Sequence, residues 1–103
     1  MSNGPQEKPV QSAQIQIELD ELVAQGIYAN LAIITHSEAE FVLDFIYVQP
    51  QQPKARLRAR VITSPSHTKR LLVALQENIK NYEQRFGPIE VAKEPVAQIG
   101  GYL

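Results

Sequence analysis

The stretch IYANLAIITHSEAEFVLDFIYVQP, residues 27–50, decides the fold of this chain. Residues 27–35 and 40–49 are two runs rich in β-branched and aromatic side chains, and only the short polar segment HSEA separates them. Two strand-forming runs so close in sequence pair antiparallel through a hairpin. The sequence therefore predicts a central pair of antiparallel strands.

One further strand is predicted on each side of this hairpin. Apolar and polar residues alternate from position 13 to position 19 (AQIQIEL), which is the pattern of a strand with one buried face. Residues 20–26 break this alternation and are expected to form a short connection with a single helical turn. Residues 54–63 (KARLRARVIT) follow a proline-containing loop and form the last predicted strand.

The rest of the pattern predicts one long helix over residues 65–86. Ser64 or Ser66 can cap its start, Pro65 suits the first helical position, and Gly87 with Pro88 ends it. Apolar residues recur at alternating spacings of three and four, as on an amphipathic helix or a helix that pairs with another. We call this stripe the helix seam; it consists of Leu72, Leu75, Ile79, Tyr82 and Phe86.

The expected fold class is α+β: a four-stranded antiparallel sheet followed by one long C-terminal amphipathic helix, with flexible tails. A chain of 103 residues has room for one core. We expect residues 12–87 to form this domain and residues 1–11 to be a disordered N-terminal tail. Residues 88–103 are expected to be a C-terminal tail, with a docking peptide as the alternative interpretation.

Composition narrows the classes of function. The net charge of −1 gives no general attraction to nucleic acid or anionic lipid, and the absence of cysteine excludes disulfides and thiolate chemistry. No apolar run reaches the roughly 20 residues that a membrane-spanning helix needs. We expect a cytoplasmic protein with no membrane partner and no cofactor.

Both faces of the central strands are apolar, and this predicts self-association. One helix covers one face of a sheet, so the other face needs a second subunit unless a tail folds back over it. We expect a homo-oligomer, a dimer or larger. The residues predicted for its interface are Tyr28, Ala32, Ile34, Val42, Ile46 and Val48.

Catalytic chemistry has little support in this sequence. His36 and His67 have no partners at the spacing of metal ligands, and Ser64 and Ser66 lack the glycine-flanked turn of a serine nucleophile. No glycine-rich phosphate loop is present. We predict a protein that is not an enzyme and that has no catalytic or metal-binding residues.

A group of basic residues supports a second hypothesis. Alternation along residues 54–63 predicts that three arginines share one face, and two further cations follow at the start of the helix. An anion there would also interact favourably with the helix N-terminus. This nucleic-acid or anion-binding alternative rests on Arg56, Arg58, Arg60, Lys69 and Arg70; against it stand the net charge and carboxylates such as Asp44 and Glu18 that can pair across strands.

Residues 27–50 and 59–87 resemble a family of short bacterial and archaeal proteins described as a domain of unknown function, number thirty-four sixty-seven. The most specific parts are the hairpin at 35–40, the strand ending at 60–63, and the helix start with Ser64, Pro65 and His67. The resemblance implies a compact domain and transfers no catalytic or binding residue.

Two classes of function follow from these patterns. The first is a non-enzymatic oligomeric interaction or assembly module that binds a protein client. Its order of elements, four strands and then a long helix, is similar to that of the SecB-type export chaperone. The second is the nucleic-acid or anion binder defined above.

Overall fold

A computed structural model of the chain describes residues 14–92. It has an α+β fold with an antiparallel sheet and a C-terminal helix, which confirms the coarse prediction. The tail predicted at 1–11, and residues 93–103 of the tail predicted at 88–103, lie outside the described part. The elements in chain order are α1 (Glu21–Ala24), β1 (Leu31–His36), β2 (Phe41–Val48), β3 (Ala55–Thr63) and α2 (Pro65–Phe86).

The sheet is a meander in which β2 lies between β1 and β3. The predicted hairpin joins β1 to β2, and Ser37 shapes its turn: its N–H donates to the carbonyl of Glu40 (2.9 Å), and its Oγ accepts from the N–H of Ala39 (3.2 Å). This use of a serine hydroxyl is what makes a short polar segment a good turn. The turn holds the register in which His36 faces Phe41.

The predicted count of four strands is not confirmed. Within residues 14–92 the sheet has three strands, and residues 14–20 belong to no helix or strand. Their alternating pattern is real, but strand pairing needs a second backbone, and none of the three described strands pairs with the segment. The predicted helical turn after the segment is confirmed as α1, with Asp20 as its N-cap.

A β-bulge interrupts the pairing of β2 with β3. Phe45 lies opposite Ala59, but the next residue, Ile46, lies opposite Leu57, so Arg58 is the extra residue. A bulge of this kind reverses the sequence of faces along the strand beyond it. Alternation in the sequence therefore gives the wrong face for the residues before Arg58.

Helix α2 begins and ends at the predicted residues. The Oγ of Ser64 accepts a hydrogen bond from the N–H of His67 (3.1 Å), and Pro65 occupies the first turn. The helix ends at Gly87, which has a φ of 94° that only glycine adopts easily, and whose N–H donates to the carbonyl of Glu83 (2.9 Å).

The core of the subunit is small. Among residues 14–92, Leu31 (4% exposed) and Leu43 (6%) are the only buried hydrophobic side chains. The other side chains of β2 are half-buried on both faces of the sheet, and no residue of α2 is buried. One subunit alone therefore leaves most of its apolar side chains in contact with water.

Candidate interaction surface

The helix seam is an exposed apolar stripe along α2. Its five side chains are between 45% exposed, at Ile79, and 67% exposed, at Phe86. The rings of Tyr82 and Phe86 contact each other with centroids 5.0 Å apart, and the guanidinium of Arg85 lies 5.5 Å from the Phe86 ring. Both of these contacts lie within the helix.

The first half of α2 lies near the sheet but does not close onto it. An open apolar cleft of ≈ 360 Å³ separates Leu71, Leu72 and Leu75 from the sheet residues below them. Those sheet residues are Ile34, Phe41 and Leu43. The first turns of the helix thus face the sheet across this cleft without docking on it, and Ile79, Tyr82 and Phe86 line no part of the cleft.

The six predicted interface residues lie on two faces of the sheet. Ala32 is opposite Phe45 and Ile34 is opposite Leu43, so both lie on the face that the cleft occupies. The ring of Tyr28 contacts that of Tyr47, on the same face, with centroids 6.0 Å apart. The remaining three, Val42, Ile46 and Val48, share the opposite face. The structure thus does not bring the six together as one surface.

Residues 14–24 add a second exposed apolar region that faces no part of the chain's own sheet. Ile15, Ile17 and Leu19 are 83%, 82% and 77% exposed, although their alternation is typical of a strand with a buried side. Leu22 and Val23 of α1 are exposed as well. We call residues 14–20 the N-terminal arm.

The basic residues of the second hypothesis are spread over the molecule. Arg56 lies opposite Tyr47, whereas Arg60 lies opposite Asp44, so the bulge places these two arginines on different faces. The prediction that three arginines share one face is wrong for this physical reason. Lys69 and Arg70 follow the other end of β3, and about 23 Å of strand, at about 3.3 Å per residue, separates Arg56 from that end.

One of these arginines is already paired. The Nε of Arg60 donates to Oδ1 of Asp44 (2.7 Å), and Nη2 donates to Oδ2 (3.0 Å). This two-pronged hydrogen bond holds the pKa of the Asp44 carboxyl below its usual value and raises the pKa of Arg60. Cross-strand pairing of Asp44 with a basic residue of the last strand, which the sequence suggested, is confirmed.

The two histidines of the chain make local contacts. The His36 ring stacks on Phe41 with centroids 5.1 Å apart, and Nδ1 of His67 lies 3.0 Å from the Oγ of Ser64. In residues 14–92 no three histidine, aspartate or glutamate side chains are grouped to hold a metal ion, and no helix there is long and apolar enough to span a membrane.

Sequence reasoning overlooked the apolar side chains of β3. Leu57, Val61 and Ile62 are 46–57% exposed and extend both apolar faces to the sheet edge. The run LRARVI contains these apolar residues, but its alternating arginines led to a prediction about charge alone.

Comparison with known proteins identifies the family of this chain but no activity. No curated protein and no solved structure matches the chain. A family model does match residues 1–91, which include every described helix and strand. The chain belongs to the family described as "Protein of unknown function (DUF3467)".

Proposed function

We propose that this chain is a non-enzymatic module that assembles with copies of itself, and that a second copy covers the helix seam. One observation carries the proposal: the five seam side chains are 45–67% exposed on a helix with no buried residue. Exposed apolar stripes of this size mark interaction surfaces in soluble proteins. The alternating spacing of three and four residues is the spacing by which two helices interlock.

The charges beside the seam favour an antiparallel pair of helices. Lys69 and Glu83 flank the seam on the same side, near its two ends. When the helices run antiparallel with Leu75 opposite Ile79, Lys69 of each copy meets Glu83 of the other. A parallel pair brings like positions together and forms no such ion pair.

Rough magnitudes indicate that helix pairing is one part of the assembly. Covering the exposed half of a large apolar side chain contributes about 1 kcal/mol, so ten seam side chains from two copies give about 10 kcal/mol. Association costs about 4–15 kcal/mol in lost freedom of motion. The gain and the cost are similar, so a stable dimer buries further apolar surface on the sheet.

The test compares two substitutions that add the same charge. Ile79→Asp places a carboxylate in the seam, whereas Asn81→Asp places one on the exposed side of the same helix. We expect the parent and Asn81→Asp to sediment as oligomers. We expect Ile79→Asp to raise the dissociation constant at least about 100-fold, because a carboxylate buried between helices costs about 3 kcal/mol or more.

Helical content is the control for this test. Circular dichroism should show that Ile79→Asp keeps its helix under conditions where its mass in solution has fallen. A parent chain that is monomeric at micromolar concentration, or an Ile79→Asp variant with the parent's dissociation constant, would refute the proposal.

Binding of a protein client by the assembled form stays a prediction from the order of elements. The surface for it is the face of Val42, Ile46 and Val48, which lies opposite the cleft under α2. Titration of the oligomer with a labelled unfolded polypeptide tests this, and Ile46→Asp should weaken such binding more than Asn81→Asp does.

The nucleic-acid or anion alternative keeps a smaller site than the sequence predicted. Lys54, Arg56 and Arg58 line one shallow depression whose lining includes no carboxylate. Binding there should fall steeply with added salt and be lost in Arg58→Glu. A single-stranded oligonucleotide whose affinity for the chain is the same at low and high salt would exclude this alternative.

A further inference from the structure

The N-terminal arm has the sequence of a strand and lacks a neighbour. Residues 14–20 alternate polar and apolar side chains, and Ile15, Ile17 and Leu19 are among the most exposed hydrophobic residues of the described chain. Their backbone groups pair with none of the three strands in residues 14–92. A segment of this kind gains both backbone hydrogen bonds and burial when it adds to the edge of a sheet.

The sheet offers two open edges. Since the order is β1, β2, β3, each outer strand has one side with no neighbouring strand among the described residues. The outer side of β3 is the longer, because β3 has nine residues and β1 has six. The arm has seven residues, so all of it can pair along the nine residues of β3.

Charge selects β3 over β1. The arm carries Glu18 and Asp20 and has no basic residue, while β3 carries three arginines and no acidic residue. Strand β1 has no lysine or arginine. Opposite charges on neighbouring strands favour pairing, and like charges oppose it.

Apolar matching gives the orientation of the arm. On β3, Val61 and Ala59 lie on the face that the cleft under α2 occupies, and Arg60 lies on the other face. An arm that turns Ile15, Ile17 and Leu19 to the cleft face continues the apolar surface of Val61. The same orientation puts Glu18 and Asp20 on the face of Arg60, whose side chain already binds Asp44 and is still 55% exposed.

We infer that the arm of one copy pairs with the outer edge of β3 in a second copy, so that two chains exchange arms. This inference rests on the proposed self-assembly and identifies a contact that helix pairing alone does not make. Each chain gives one arm and receives one, which closes a two-fold dimer and leaves no open β3 edge. The arm then supplies the fourth strand that the sequence predicted, from the other chain.

Cysteine cross-linking tests the exchange, because the natural chain has no cysteine. One chain carries Gln16→Cys in the arm and a tag that changes its mass. The other carries a cysteine at Leu57, Arg60 or Ile62, three positions that share the face expected for Gln16 and sample the register. A chain with Thr35→Cys in β1 is the matched control for the other edge.

After oxidation of mixed chains, we expect a disulfide between the tagged chain and at least one of the three β3 variants, and none with Thr35→Cys. A chain carrying Gln16→Cys and its best β3 partner together should form dimers linked by two disulfides. A disulfide closed within one such chain, a cross-link to Thr35→Cys, or no cross-link at all would overturn the inference. Sedimentation of Ile79→Asp is a separate measurement, so arm exchange can fail while the proposed self-assembly stands.

Discussion

Arg60 of β3 and Asp44 of β2 are direct partners across the strands, joined by two hydrogen bonds of 2.7 and 3.0 Å. The pair joins the outer strand β3 to the central strand β2, and the side chain of Arg60 is 55% exposed while that of Asp44 is 16% exposed. It fixes the register on one side of the bulge, and it takes Arg60 out of any group of free cations.

The first prediction concerns pH. Because Arg60 lowers the pKa of Asp44 in the folded state, the pair stabilises the fold above the unfolded pKa of about 3.9 and loses its effect as pH falls through the folded pKa. Urea unfolding at fixed protein concentration should show the parent more stable than Arg60→Gln at pH 6. The difference should vanish at the acid end of a pH 6 to 2 series. A difference that stays constant across the series would mean that Arg60 acts through packing and not through Asp44.

The second prediction concerns Asn30, just before β1. Its side chain accepts from the N–H of Val48 (2.8 Å) and donates to the carbonyl of Val48 (3.0 Å), so it closes the end of β2. Asn30→Ala leaves the half-buried N–H and carbonyl of Val48 without this side-chain partner. The substitution should therefore lower the free energy of unfolding by about 1–3 kcal/mol.

Asn78→Ala is the matched control for Asn30. Asn78 bonds only to the carbonyl of Ala74 on the exposed side of α2, where alanine favours the helix, so we expect a change within about 0.5 kcal/mol. Equal losses of stability for the two variants in urea would argue against the role assigned to Asn30.

The third prediction concerns the start of α2. Ser64 accepts from the N–H of His67 and leads the helix out of β3, so Ser64→Ala should reduce stability by about 1 kcal/mol. Ser66→Ala, two residues further along the chain, should have almost no effect on stability, since Ser66 makes no such cap. Thermal unfolding followed by circular dichroism at 222 nm, at equal protein concentrations, measures the stability of both variants. A larger loss of stability from Ser66→Ala than from Ser64→Ala would show that Ser64 is not the cap.

The sequence allows the local structure to be predicted better than the packing. Helix α2 has its bounds in its own residues, because Ser64, Pro65 and Gly87 act within one turn of the helix. The β1–β2 hairpin is likewise set by its short polar turn. These are interactions between near neighbours, which a single sequence displays directly.

What the sequence could not give depends on distant or external partners. Alternation in residues 54–63 does not reveal the bulge at Arg58, because its position depends on pairing with β2. The same limit applies to the arm: its pattern indicates a strand with one apolar side and does not identify the edge it joins. The apolar character of both faces of the sheet was predicted correctly. Tyr28, Ala32 and Ile34 were predicted to share a face with Val42, Ile46 and Val48, but they lie on the opposite face.

The last prediction tests the direction in which two copies of α2 pair. In the antiparallel arrangement Lys69 of each copy meets Glu83 of the other, so Lys69→Glu and Glu83→Lys should each place like charges together. Each single variant should raise the dissociation constant about 5- to 30-fold at low salt, since each of the two contacts loses roughly 0.5–1 kcal/mol. Glu83 also accepts a hydrogen bond from the N–H of Ile89 (2.8 Å), so its variant carries a second, local effect. The double variant separates the two effects, because it restores the pair in the opposite sense and should recover most of the parent's affinity in sedimentation. Parallel helices bring Lys69 and Glu83 into no such contact, and the two substitutions would then be additive.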